Sequence, residues 1–119
     1  MLSDLLASST PVNKTSAGSQ FVGDSGLLLS LLPEESIDLI ITSPPFALLR
    51  EKSYGNRTEP DYVNWLSEFG KAAIRVLKPT GSFVLDLGHA YERGQPVRSL
   101  YNYRVLIAFV DDLDGTAHR

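Results

Sequence analysis

Four consecutive residues, Ser43-Pro44-Pro45-Phe46, place a hydroxyl, two rigid rings and an aromatic side chain directly after the aliphatic run Ile37 to Thr42. Proline has no N–H and fixes φ, and it drives the residue before it into extended geometry. Two in succession make a stiff corner that cannot continue a strand ladder. The carbonyls of Ser43 and Pro44 are expected to point outward, with no neighbouring strand to donate to them. A hydroxyl, an outward carbonyl and an exposed ring held at fixed separations form a receptor suited to a flat, amine-bearing ligand. The plainer alternative is a strand that ends in a proline turn, with Phe46 covering the core.

Other side chains could join such a site. Asp86 lies in the run "SFVLDLG", where its carboxylate could line the same cleft or be held by a backbone amide. His89 and His118 have no partner at metal-ligand spacing, so no metal is expected. Arg50, Lys52 and Arg57 fall in "ALLREKSYGNRTEP", which has no sustained period and reads as a long loop. Long loops in compact domains usually carry function.

The elements that must position these residues can be read from the punctuation. "QFVGDSGLLLSLL" predicts a short strand, a turn at Gly23-Asp24 and a short helix over Leu27 to Leu32. Pro33-Glu34-Glu35-Ser36 stops that helix. Ile37 to Thr42 lacks alternation, as expected for a parallel strand covered on both faces. Thr58 opens a helix, with Pro60 in its first turn and Asp61 three residues on. Tyr62, Leu66, Phe69, Ala73, Val76 and Leu77 mark its apolar face. "KPTG" closes it, Ser82 to Leu87 form the next strand, and "GHAYERGQPVR" is a loop. Ser99 is the expected N-cap of a last helix, with Val105, Leu106, Phe109, Val110 and Leu113 on its apolar side.

The order is β-α-β-α-β-α, an α/β class with parallel strands and crossover helices. Three strands are few for a doubly wound sheet of the Rossmann-like kind, so the sheet is expected to be incomplete in this chain alone. Residues 1–19, rich in Ser, Thr and Asn, read as a flexible N-terminal arm. Residues 20–119 read as one domain.

Composition narrows the function classes. With 119 residues and 43% hydrophobic content, the chain can bury one modest core. A net charge of -3 argues against a freestanding nucleic-acid binder, which usually carries excess Lys and Arg. The chain contains no cysteine, which excludes disulfides and thiolate metal sites and suits a cytoplasmic protein. No apolar run approaches the roughly 18 residues of a membrane span. The N-terminus has no signal-peptide pattern. A nucleotide-binding module of another kind is disfavoured by the lack of a Gly-rich phosphate loop.

Over residues 18 to 113 the chain resembles the amino-methyltransferases of bacterial restriction–modification systems, specifically the cytosine-N4 class. The resemblance rests on "GDSGLLLSLLPEESIDLIITSPPFALLREKSYGN", "YVNWLSEFGKAAIRVLKPTGSFVLDLG" and "RSLYNYRVLIAFVDDL" occurring in that order. That class carries Ser-Pro-Pro-Tyr/Phe after a hydrophobic strand, where adenine-N6 enzymes more often have Asp-Pro-Pro-Tyr. The resemblance implies a bacterial or archaeal cytoplasmic enzyme that transfers a methyl group from S-adenosylmethionine to the N4 amine of a cytosine flipped out of double-stranded DNA.

It further implies that Ser43, Pro44, Pro45 and Phe46 are catalytic, with the amine held by the Ser43 hydroxyl and the Pro44 carbonyl. Phe46 would stack on the extruded base. Asp24 and Ser43 would contact the cofactor, Asp24 accepting from the adenine amino group; capping the following helix is the equal alternative for Asp24. Gly26 stands where the class has a larger apolar residue. Arg50, Lys52 and Arg57 would contact DNA phosphates, with ordinary solvated charges as the alternative; Arg93 and Arg98 are read the same way.

Members of this permuted type place the catalytic half first, followed by target recognition and a Phe-x-Gly-x-Gly cofactor loop. No Phe-x-Gly-x-Gly occurs in this sequence, so the chain is expected to be the catalytic half, inactive alone. The alternative is a non-catalytic remnant or split-enzyme subunit. Either way a second chain or a homodimer is expected to complete the sheet.

Overall fold

The computed structural model describes residues 10–44, 59–88, 91 and 94–113. The sequence of elements is β1 (Asn13–Lys14), β2 (Ser19–Gln20), α1 (Ser25–Ser30), β3 (Ile37–Thr42), α2 (Glu59–Val76), β4 (Leu77–Leu85) and α3 (Tyr101–Asp112). Strands β3 and β4 pair in parallel, and β1 pairs with β2 in a separate antiparallel sheet. The α/β class therefore stands. The described parallel sheet has two strands, however, rather than the expected three.

The first expected strand is the source of the difference. Gln20 is committed to the hairpin, where its carbonyl accepts from Val12 N–H at 2.8 Å. Phe21 leaves the hairpin to pack beside Leu32 and Val76, and Val22 is exposed. The hairpin also occupies the second half of the segment read as a loose arm.

Helix α2 is the organising element, because a parallel pair needs a crossover and α2 lies in it. Its predicted face is largely observed: Tyr62, Leu66, Ala73 and Val76 are buried, with Leu77 just beyond. Tyr62 and Leu66 pack against Tyr101 and Val105 of α3. A Cβ at Gly70 would stand 2.9 Å from the Phe109 ring, so the two helices approach closely there. Helix α3 starts one residue later than expected, with Leu100 as its cap, although the buried Ser99 hydroxyl still accepts from Tyr101 N–H at 3.3 Å. Leu106, expected on the apolar side, is 62% exposed.

"KPTG" follows the helix end as expected, but it belongs to β4, which begins before the expected Ser82. Helix α2 runs to Val76 and β4 starts at Leu77, with Leu77 opposite Ile37 and Ser82 opposite Leu39. The longer step along β4 is absorbed at Lys78-Pro79-Thr80-Gly81. A Cβ on Gly81 would meet the carbonyls of Lys78 and Asp38 at 3.0 and 3.1 Å, which explains glycine there. Proline and glycine mark a strand irregularity here.

Among the described residues, nothing covers the second face of the sheet. Ile40 and Leu85 pack against the two apolar clusters, but Leu39, Ile41 and Val84 are 52%, 67% and 46% exposed. Ile41 pairs with Val84, so these side chains share one apolar face. No helix among the described residues is long and apolar enough to cross a membrane.

Two buried phenols in the core differ in one respect. Tyr101 donates its hydroxyl to the Gly88 carbonyl, whereas the Tyr62 hydroxyl finds no partner among the described residues. Their rings meet edge to face at 5.6 Å. Burial raises both phenols above the ordinary tyrosine range, and the neighbouring Tyr101 raises Tyr62 further. Tyr62→Phe is therefore expected to be neutral or slightly stabilising, and Tyr101→Phe to cost about 1 kcal/mol.

Since the folded phenols titrate above their unfolded value of 10.0, their contribution is intact below that pH. It is lost as pH rises from there through the folded values. Thermal melts at neutral pH and above pH 10 check both statements. A loss of more than about 1 kcal/mol for Tyr62→Phe would mean that its hydroxyl is bonded.

Candidate functional site

The site lies at the carboxyl end of β3. The ladder closes with Thr42 opposite Leu85, and the Asp86 N–H donates to the Thr42 carbonyl at 2.9 Å. Ser43 and Pro44 come immediately after this last rung. Neither forms a hydrogen bond with another described residue. Pro44 is buried while Ser43 is exposed. The ring thus anchors the corner, leaving the serine hydroxyl accessible.

Ser43 and Pro44 line a cleft of about 220 Å³ together with Ser25, Trp65 and Phe69. A second cleft of about 230 Å³ is lined by Asp24, Ser25, Gly26, Trp65, Glu68 and Phe69. Ser25, Trp65 and Phe69 belong to both, so the clefts adjoin. Asp24 and Ser43, separated by a helix and a strand in sequence, thus lie on adjoining clefts.

Local structure explains this. Asp24 is in extended conformation, and its Oδ1 accepts from Leu27 N–H at 3.0 Å, capping α1. The capping role is therefore observed, and it shifts the helix to start at Ser25. The carboxylate stays exposed, and its other oxygen has no described partner. A Cβ at Gly26 would stand 3.2 Å from Asp24 Oδ1. Glycine at this departure from the expected pattern thus relieves crowding on the carboxylate. The far end of α1 is tied to α2 by Arg75, whose guanidinium donates to the carbonyls of Leu29 and Leu32 at 2.9 and 2.8 Å.

The shared wall comes from α2. Trp65 sits against Tyr62 with ring centroids 5.7 Å apart, and Phe69 against Phe83 at 6.3 Å. Sequence reading missed Trp65 and Ser25. Trp65 lies three residues after Tyr62, at the margin of the apolar face, and its being the single tryptophan was the available signal. Asp86 is exposed and lines neither cleft; its backbone amide, not its carboxylate, makes the bond to Thr42. Arg98 bridges to Tyr91. Pro45, Phe46, Arg50, Lys52, Arg57, His89, Arg93 and His118 lie outside the described residues. Among the described residues, no three His, Cys, Asp or Glu side chains gather as a metal site would need.

Residues 37–116 match a family model described as DNA methylase. The chain is 52% identical over 103 residues to the type II methyltransferase M.PvuII of Proteus hauseri, covering 87% of this chain and 31% of that protein. It is 34% identical over 121 residues to M.SfiI of Streptomyces fimbriatus, covering 82% of this chain and 29% of the relative. A solved structure titled PvuII DNA methyltransferase (cytosine-N4-specific) superposes with a TM-score of 0.78 at 53% identity. That match covers 87% of this chain and 37% of the solved one. The chain thus spans about a third of the length of the relatives it matches.

Proposed function

This chain belongs to the DNA methylase family, and we propose that it carries the catalytic part of an S-adenosylmethionine-dependent DNA methyltransferase. Its target would be the N4 amine of a cytosine flipped out of the duplex. The observation that carries the reading is the placement of Asp24 and Ser43 around adjoining clefts at the end of β3. Ligands of open parallel sheets bind beyond the carboxyl ends of the strands.

The residues fit the cofactor. Asp24 keeps one carboxylate oxygen for an amino group, and neither cleft alone reaches the roughly 300 Å³ of a ligand pocket, whereas the two together do. When bound, S-adenosylmethionine supplies an electrophilic methyl group.

The cytosine amine is a poor nucleophile because its lone pair is delocalised into the ring. Hydrogen bonds from that amine to the Ser43 hydroxyl and the Pro44 carbonyl favour a tetrahedral nitrogen and offset its developing positive charge. They strengthen most in the transition state. Pro44 and Pro45 keep both acceptors at a fixed separation, and Phe46 stacks on the base. Arg50, Lys52 and Arg57 pair with phosphates. These 119 residues contain no Phe-x-Gly-x-Gly loop, so on their own they would bind cofactor weakly and transfer little or nothing.

The test is a chimera in which this sequence replaces the corresponding third of M.PvuII. Tritiated-methyl transfer to DNA and N4-methylcytosine in the digested product are expected. A chimera that binds cofactor and DNA yet forms no N4-methylcytosine overturns the reading.

A second reading, association as a subunit, is supported by the bare apolar face of Leu39, Ile41 and Val84. A dimer, a complex or poor solubility is then expected for the purified chain. Light scattering that shows a well-behaved monomer at micromolar concentrations, with a cooperative melt, excludes it.

A further inference from the structure

We infer that Trp65 is a cofactor-binding residue whose side chain carries the ribose and sulfonium stretch of S-adenosylmethionine between Asp24 and Ser43. The inference rests on the proposed function. Asp24 lies on one cleft and Ser43 on the other, and Trp65 lines both. At about 220 and 230 Å³, neither cleft reaches the roughly 300 Å³ at which ligand pockets begin. A cofactor whose adenine amine reaches Asp24 while its methyl reaches Ser43 must therefore occupy both. Its middle then crosses the shared wall of Ser25, Trp65 and Phe69.

Of these, Trp65 offers the largest polarisable surface. It is half-buried and braced by Tyr62 at 5.7 Å, so little side-chain freedom remains to be lost on binding. A tryptophan is also the aromatic side chain best suited to a nearby cation. Ser25 is small, and Phe69 is already engaged with Phe83. Trp65 thus has a role along the middle of the cofactor, between Asp24 on one cleft and Ser43 on the other.

The single tryptophan makes the test direct. In a nitrogen-15-labelled sample of the full chain, the indole Nε1–H gives one resonance, and the cofactor's own binding is followed by saturation transfer. The cofactor is raised to roughly 10 mM, where even a Kd of about 1 mM saturates. The expected result is a saturable indole shift with intermolecular Overhauser effects between indole protons and the ribose or S-methyl protons. Trp65→Leu should weaken affinity roughly five- to thirty-fold, and Trp65→Phe less.

Saturation transfer without any contact to the indole overturns the inference and leaves the proposed function standing. So does a folded Trp65→Leu variant that binds as tightly as the parent. Absence of saturation transfer altogether overturns the inference, while the proposed function is decided separately by methyl transfer in the chimera. The indole readout needs no substitution, so it decides even where Trp65→Leu fails to fold.

Discussion

Ser43→Ala, made in the chimera completed by the remaining family sequence, is expected to lower single-turnover methyl transfer roughly 10²-fold. This is the scale of losing one preorganised hydrogen bond aimed at developing charge. The Pro44 carbonyl remains as second acceptor, so the loss stays partial. Cofactor and DNA affinity should change little, because the bond matters chiefly in the transition state. Stability should also hold: Ser43 is exposed, lies past the last rung of the ladder and bonds no described residue. Such surface changes usually fall within about 0.5 kcal/mol. A corner with no role beyond folding predicts the reverse pattern, a lower melting temperature with every activity reduced in parallel. A normal single-turnover rate for Ser43→Ala would remove the hydroxyl from the mechanism.

Arg75→Met is expected to cost about 2–4 kcal/mol, as two bonds from a charged donor are lost. The guanidinium reaches from α2 to the carbonyl of Leu29 in the last turn of α1, which also accepts from Leu32 N–H at 3.1 Å, and to that of Leu32 just beyond the helix end. Its positive charge also sits favourably at a helix C-terminus. The melting temperature should fall by about 10 °C or more. Arg75→Lys should recover only part, because an ammonium cannot fork to both carbonyls as a planar guanidinium does. Helix α1 begins at the Asp24 cap, so its loosening should also weaken cofactor binding, although Arg75 lines neither cleft. An Arg75→Met protein that melts within about 1 °C of the parent would show that water satisfies those carbonyls equally well.

The parts of the fold that were legible in sequence are those with long periodicity or local capping chemistry. Tyr62, Leu66, Ala73 and Val76 declared the α2 face over four turns, and Asp24 declared its cap through its position before a short apolar run. The junction at Lys78 to Gly81 was not legible. Proline and glycine announce a break in regular structure without saying whether it is a loop or an irregular strand, and contacts with Asp38 settle that. The strand expected near Phe21 failed because Gln20 was already taken by a hairpin. Ile37 to Thr42 reads as a strand covered on both faces, yet Leu39 and Ile41 are exposed here. In the site, the Asp24 cap and the end of β3 at Thr42 were readable from local backbone chemistry. Trp65 was not, since its place on both clefts depends on how α1 docks against α2.

The position of α2 has a kinetic consequence. The β3 and β4 strands cannot pair until the chain between them has doubled back, and α2 is the helix described on that path. A contact between Ile37 and Leu77 closes a long loop, and ordering that loop as helix reduces the entropy cost of closure. The same helix brings Trp65 and Phe69 to the end of β3. Substitutions on its apolar face would then act mainly on the folding rate, while those in the β1–β2 hairpin, which lies apart from the parallel pair, would act mainly on unfolding. The cleft walls would be set in place at the rate-limiting step of folding, before the hairpin has any need to form.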